Sequence, residues 1–578
     1  MKKDKQYLLS YWTYLKQQQK WLILACLLIP IIAAISIIQP YLLKKAIDDA
    51  IVQNNSSLLT TIALLFGGLV ILDFLCKTCQ TFLFQFIGQK TILAIRYDLF
   101  NHVITLSTRY YDNTPLGVIT SRLTSDIESL NESFTSGLVT LLTDILTLVG
   151  IISVMFMLSP KLTTVTLLVL PPMYFIVNFF RKKLRFYYNK IRTTIGHLNA
   201  TIQEQLQGVN VIQMYQQTTN SFNQFNKVNQ TYTHSTLKSV TYDATLYSII
   251  ESIYAIMIAL MIWYGWAQYQ QDIITIGLLV AFIDYIHKFF MPLKELSTKF
   301  AILQHALASL EKIFSTLEIT DNIPLGTKKP STLTGDICFN NVSFSYKGHE
   351  NKPILNNLSF SIKPHQLVAI VGPTGSGKTS ILRLISKLYS GYCGSITFNN
   401  HELSTINTAY LRQHISVINQ ENTLFTQTIA FNITLGNKNI TPKQIETAAK
   451  QVYIHDFIMS LPHQYNTVLT KGSQSISAGQ AQLINFARAI VNPCPIILLD
   501  EATANIDSLT EQNIQHSLTH LLQEKTAIVV AHRLSTIKNA DIILAINDGT
   551  IIEYGSHKEL INKKGFYANL FNMQFASL

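Results

Sequence analysis

The stretch Gly372-Pro373-Thr374-Gly375-Ser376-Gly377-Lys378-Thr379 spaces glycines, a lysine and a hydroxyl as a phosphate-binding loop requires. The apolar run Leu367-Val368-Ala369-Ile370-Val371 before it predicts a strand, and Ser380-Ile381-Leu382 opens a helix after it. The glycines let backbone N–H groups converge on phosphate oxygens, and the helix start adds partial positive charge. Lys378 is then placed to reach the β- and γ-phosphates, and Thr379 to ligate Mg2+. A chance glycine-rich turn would lack the strand and the helix on its flanks.

A second element is Ile496-Ile497-Leu498-Leu499-Asp500-Glu501. Four apolar residues predict a buried strand that delivers two carboxylates at its C-terminal edge, where open α/β sheets bind ligands. Asp500 suits a Mg2+ ligand, direct or through water. Glu501 suits the general base that polarises a water attacking the γ-phosphate. Taken alone, a strand simply ending in solvated acids explains the pattern equally well; its distance downstream of the phosphate loop favours the catalytic reading.

These elements need a larger frame. The chain has 578 residues, 48% of them hydrophobic and only 14% charged. Its mean hydropathy is +0.23. That composition excludes a disordered or fibrous chain and argues against a wholly soluble one. The net charge of +11 reads as basic loops beside apolar spans rather than as a nucleic-acid surface. The cysteines are too scattered for a disulfide framework. Six windows are long and apolar enough to cross a bilayer: about 21–43, 58–86, 137–158, 162–180, 242–266 and 273–291. The basic N-terminus, without a small-x-small cleavage site, and the cluster Arg181-Lys182-Lys183-Leu184-Arg185 place both termini in the cytoplasm by the positive-inside rule. The long inner segments, about 88–136 and 181–240, fit helices that overshoot the membrane.

With both elements in hand, the sequence resembles the ATP-binding cassette transporters in their exporter-type half-transporter form, over nearly its whole length. Ser475-Ile476-Ser477-Ala478-Gly479-Gln480, followed by Ala487-Arg488-Ala489, is similar to the family signature. By the same resemblance Gln420 is the Q-loop glutamine and a Mg2+ ligand, and His532 the switch histidine. Asp507 belongs to the D-loop, and Tyr346 sits where the family stacks a ring on adenine. The resemblance implies a six-helix, all-α membrane domain of the exporter fold followed by an α/β phosphate-loop ATPase domain. The divisions expected are an N-terminal elbow at 1–20, the membrane domain at 21–310, a linker at 311–335 and the nucleotide-binding domain at 336–578.

It further implies ATP and Mg2+ as cofactors, with Tyr346, the loop 372–379, Asp500, Ser477–Gln480 and Asp507 holding the nucleotide. Glu501, His532 and Gln420 are the implied catalytic residues. Two cassettes sandwich two ATP molecules in this family, so a second half-transporter is the expected partner, besides the bilayer and a hydrophobic or amphipathic cargo; nucleic acid is not. Tyr111–Gly117 with Ser121–Asp126 resembles the first coupling region, and Glu204–Tyr215 the stretch beyond the second intracellular loop.

The chain departs from the pattern in places. Ala478 stands where glycine is usual and Ile476 where leucine is, and Thr470-Lys471-Gly472-Ser473 replaces a Gly-Glu-x-Gly loop. Altered signatures beside an intact Glu501 point to a two-gene pair like the MdlA/MdlB-like multidrug and lipid exporters, with a homodimer as the alternative. The reading is therefore ATP-driven export from the cytoplasmic membrane. An ATP-gated channel is the competing class; soluble cassette proteins are excluded by the spans, and importers are disfavoured because they encode the two parts separately.

Charged residues inside spans are costly, so Asp73, Lys77, Asp144, Glu251, Asp284 and His287 are candidates for a cavity, or else are paired with neighbours. Asp73 and Lys77 stand one turn apart. Cys76-Lys77-Thr78-Cys79 lacks the setting of a redox or zinc motif, and Asp284 with His287 is too few ligands for a metal. Pro171-Pro172 predicts a bend in the fourth span. The aromatic residues near the spans suit helix packing as well as cargo.

Overall fold

The structure is a computed structural model that describes residues 2–575 except 322–324, 335, 347–352, 421–422, 471–475, 501–507, 523–524 and 532–533. The chain forms two compact units: Met1–Ile104 with Leu116–Ile319, and Thr105–Pro115 with Thr320–Leu578.

The first unit is helical throughout. Among the described residues six helices are long and apolar enough to cross a membrane: Gln19–Ile51, Ser56–Thr105, Thr140–Leu158, Pro160–Gln207, Thr218–Tyr269 and Ile276–Leu293. Ser56–Thr105 has 50 residues and Thr218–Tyr269 has 52. At 1.5 Å per residue each reaches roughly 75 Å, more than twice a hydrocarbon core. The long polar segments between the apolar windows thus continue as helix, longer than a bilayer requires. Pro171-Pro172 falls at a break in the fourth span, in the first turn of its second helix, where a missing N–H costs no ladder bond. The fourth span is split into Pro160–Leu167 and Leu170–Gln207, with Leu168 and Val169 between them.

Polar contacts tie the spans together. The Asp48 carboxylate accepts from the Thr275 hydroxyl and from the Gly277 N–H at 2.8 Å, joining the end of the first span to the start of the last. Tyr285, fully buried, donates to the Ile37 carbonyl at 2.8 Å. Asp73 and Lys77 pair at 2.7 Å. Lys299 bridges Asp144 and Glu295, and Lys288 meets the Ser36 carbonyl at 2.9 Å, the Gln39 amide at 3.0 Å and Asp284 at 3.7 Å. His287 Nδ1 lies 3.2 Å from the Tyr254 hydroxyl, and Glu251 is also engaged. Each of these charged groups thus has a neighbouring partner, the plainer of the two expectations, although Asp73 Oδ1 is buried with none of its own among the described residues. Cys76 and Cys79 are free thiols, and no metal-ligand cluster occurs among the described residues.

Among the described residues the second unit contains ten strands: β1 (Ile337–Phe344), β2 (Leu355–Ile362), β3 (Leu367–Val371), β4 (Cys393–Phe398), β5 (His401–Glu402), β6 (Ile415–Ile418), β7 (Ile496–Asp500), β8 (Thr526–Val530), β9 (Ile542–Asn547) and β10 (Thr550–Gly555). One sheet is antiparallel in the order β2-β1-β4-β5; the other runs β10-β9-β3-β8-β7-β6, parallel from β9 to β6. The parallel strands are apolar on both faces because both are covered. Ala369, Val371, Leu499 and Val529 face one core, while Val368, Ile370, Leu498 and Ile528 face the other. This period-two alternation fixes register, since a one-residue slip would exchange every side chain between cores.

Candidate functional site

Parallel pairing puts the C-terminal ends of β3, β6, β7 and β8 on one edge. The loop after Val371, the residues after Ile418, and Asp500 at the end of β7 are consequently neighbours, although more than a hundred residues separate the first from the last. A cavity of about 770 Å3 opens there, lined by Thr374, Gly375 and Gly377–Ser380 of the loop, by Gln420, by Asp500 and by Tyr346.

The loop is held open by its glycines. A Cβ on Gly372 would lie 2.1 Å from the Ile546 carbonyl oxygen of β9, so no side chain fits there. Gly377 has φ +99°, left-handed backbone that favours glycine, and leads into the helix Lys378–Ile385. Lys378 is buried and turns its ammonium back on the loop, donating to the carbonyls of Gly372 at 2.9 Å and Pro373 at 2.8 Å. Burial pushes its pKa down, and the Asp500 carboxylate opposes that shift. The buried Ser376 hydroxyl has no partner among the described residues. A buried cation satisfied only by carbonyls and an orphaned hydroxyl, both in a loop of converging N–H groups, fit a polyanion.

Thr379, Gln420 and Asp500 contribute a hydroxyl, an amide and a carboxylate to one cavity. An all-oxygen set of this kind fits Mg2+. The segment beyond Gln420 is pinned by Asn432, whose amide bonds the Phe425 N–H at 2.8 Å and its carbonyl at 3.0 Å. Arg488 donates to the carbonyls of Asn432 at 2.9 Å and Thr423 at 3.3 Å, fastening the cavity wall to the helix Ala478–Val491.

Ser477–Gln480 do not line this cavity. They form the N-terminus of that helix, closed by a capping box: the Ser477 hydroxyl accepts from Gln480 N–H at 3.2 Å, and the Gln480 side chain from Ser477 N–H at 2.9 Å. Ala478 is helical and is not among the residues with positive φ, so alanine replaces glycine there without backbone strain. Glu501, Asp507 and His532 lie outside the described residues, as does most of the loop Thr470–Ser473.

Arg383 and Thr108 are among the lining residues that escape a reading of the sequence. Arg383 is one turn beyond Thr379 on the same helix, a spacing that marks a shared face. Thr108 comes from the helix Thr108–Asn113, which packs with the second unit. No local signal announces it, because the contact spans over two hundred residues of chain.

Residues 22–293 match the ABC transporter transmembrane region family, and residues 355–504 the ABC transporter family. The chain is 37% identical over 98% of its length to an uncharacterized ABC transporter ATP-binding protein, YknV, of Bacillus subtilis, covering 94% of that protein. It is 31% identical to an ATP-dependent lipid A-core flippase of Thiobacillus denitrificans, over 97% of each chain. A bacterial Atm1-family ABC exporter solved with ATP bound superposes with a TM-score of 0.78 at 26% identity, over 96% of this chain and 98% of the other. The fold, the cavity and these likenesses agree: the chain belongs to the ABC transporter family, as an exporter that joins a membrane domain to an ATPase.

Proposed function

We propose that this chain is half of a dimeric pump that exports a hydrophobic or amphipathic cargo, such as a drug, lipid or peptide, from the cytoplasm by alternating access. The observation that carries the reading is the gathering of Lys378, Thr379, Gln420 and Asp500 around one cavity in a chain with six membrane-spanning helices. Lys378 leaves its two loop carbonyls for the β- and γ-phosphates, and the loop N–H groups take the remaining oxygens. Thr379, Gln420 and Asp500 hold Mg2+, which supplies neutralisation of the phosphate charge. Glu501 accepts a proton from the attacking water, His532 stabilises the γ-phosphate, and Tyr346 carries the adenine.

In this account Ser477–Gln480 and Asp507 complete the nucleotide site of the other subunit. Their place away from this chain's own phosphate loop supports that division of labour. Nucleotide clamped between two cassettes favours the closed pair, and hydrolysis removes that preference; such differential affinity is what a ligand-driven change requires. The partner is a similar chain or a second copy. The membrane helices leave much of their apolar surface uncovered: only 6% of the most apolar window of Ser56–Thr105 is buried within the chain. Lipid and a partner subunit would cover it. The flippase relative supports a lipid-like cargo, and the basic loops support a cytoplasmic-membrane location with the ATPase inside.

Proteoliposomes with outward-facing cassettes test the pump. Mg-ATP should drive accumulation of fluorescent lipids or lipophilic cations against a gradient. Movement that only dissipates a gradient would instead make the protein a gated channel.

A further inference from the structure

A second cavity of the nucleotide unit, of about 290 Å3, shares Tyr346 with the first. It is lined by Arg109 of the helix Thr108–Asn113, by the residues closing β1 and by those leading into β4. Three of its rings, Phe344, Tyr346 and Tyr389, meet edge-on with centroids 5.0, 5.1 and 5.9 Å apart. Arg109 is the one charged group among the described lining residues. The other described arginines of this unit are committed: Arg383, Arg412 and Arg488 donate to neighbouring oxygens at 3.3, 3.4 and 2.9 Å. The half-buried Arg109 guanidinium donates to none among the described residues. The hydroxyls of Ser345 and Ser390 line the same space without a described partner. Tyr389 is 6% exposed, and its buried hydroxyl is unpartnered among the described residues. Polar groups sequestered this far are ordinarily hydrogen-bonded, so a cavity that gathers a free cation and free hydroxyls asks for a ligand.

We propose that this cavity is an oxyanion site, separate from the nucleotide site, for a phosphate or sulfate group that is free or carried on a small organic molecule. A guanidinium fork presents parallel N–H donors that match two oxygens of such a group. The Ser345 and Ser390 hydroxyls supply donors for the rest. Ring edges carry partial positive charge, so the aromatic wall does not repel an anion and can pack an organic body. A cation would meet the like charge of Arg109, and a neutral molecule would leave that charge uncompensated. Arg109 stands on the helix Thr108–Asn113, whereas both hydroxyls stand beside the strands. A bound oxyanion therefore bridges the two. Thr108 and Tyr346, which adjoin the two ends of that bridge, also line the nucleotide cavity.

Cys393 reports on occupancy, because its exposed thiol lines the same cavity. In the test the full chain is held with Mg2+ and a non-hydrolysable ATP analogue, which fills the phosphate loop. It is then alkylated with iodoacetamide at constant ionic strength, and the Cys393 peptide is quantified by mass spectrometry. With a Kd of about 1 mM, the scale of a small anion on one guanidinium, phosphate at about 10 mM should slow alkylation roughly tenfold. Arg109→Met should abolish this protection, and Arg109→Lys, which keeps the charge without the fork, should retain part of it. Phenyl phosphate separates the sources. Protection at lower concentration than inorganic phosphate assigns an organic ester, and protection at equal or higher concentration assigns the free ion. No protection by either, or equal protection in Arg109→Met, overturns the proposal. Protection by the ATP analogue alone, with nothing added by phosphate, also overturns it, because the cavity would then belong to the nucleotide site. Should Arg109→Met fail to fold, charged thiol reagents on wild type decide instead. Scaled to a free model thiol, Cys393 should react faster with an anionic methanethiosulfonate than with a cationic one, and the reverse order would overturn the proposal.

Discussion

The two units solve the burial problem in opposite ways. The nucleotide unit sandwiches its parallel sheet between two apolar cores, so β7 shows one polar-edged residue, Asp500, after four fully buried ones. The membrane unit turns Leu64, Phe74 and Phe82 outward, each about two-thirds exposed or more, and keeps polar pairs between its helices. In water the first arrangement is stable by itself; the second needs an apolar solvent. Charge follows the same divide. Several polar contacts within the membrane unit join helices distant in sequence, while the nucleotide unit places a buried cation, Lys378, at a ligand site.

That contrast can be broken experimentally. The largest effect on stability is expected from Lys299→Met. It strands Asp144 and Glu295 without their shared cation, and should cost up to about 3 kcal/mol. A detergent-solubilised variant as heat-stable as wild type would show that the pair ties nothing together. Lys378→Ala comes next and acts on binding rather than folding. Losing a charge-assisted contact should weaken ATP affinity roughly 10–100-fold with little change in melting temperature. Unchanged affinity would contradict the phosphate-loop assignment.

A smaller effect concerns pH. His557 Nδ1 lies 2.6 Å from the Tyr567 hydroxyl, and burial, helped by the charge of Lys538, pushes its pKa below the ordinary histidine value. The unfolded chain therefore binds a proton that the folded chain resists. This group costs nothing above the ordinary pKa near 6.5, and its penalty grows as pH falls from there toward the folded pKa. His557→Gln should flatten the decline in melting temperature between pH 7 and pH 5; an identical decline would exclude His557 as its source. Smallest of all is Lys450→Met. It opens the exposed pair with Glu446, one turn away on a surface helix, and should leave the melting temperature unchanged within error. A large drop there would blur the distinction between buried and surface pairs.

Contiguity explains what could be read from the chain. The phosphate loop was legible because its glycines, lysine and threonine are consecutive and flanked by strand and helix. The six spans were legible because a bilayer demands one continuous apolar run each, and the Pro171-Pro172 break because proline acts locally. The strain-free fit of Ala478 needed the helix cap to be seen. Thr108 in the nucleotide cavity, the Asp48 tie to Thr275 and Gly277, and the Lys299 bridge all depend on tertiary approach, which no local pattern encodes. Arg383 lies between these cases. Its spacing from Thr379 puts it on that residue's face of the helix, but only the fold shows that this face lines the cavity.

The central claim is that hydrolysis at this cavity powers the protein, with Glu501 as the base. Steady-state Mg-ATP turnover of reconstituted Glu501→Gln, measured beside its ATP affinity, tests it most directly. The account predicts near-normal binding and a rate reduced about 100-fold or more. A variant that turns over ATP as fast as wild type would contradict it.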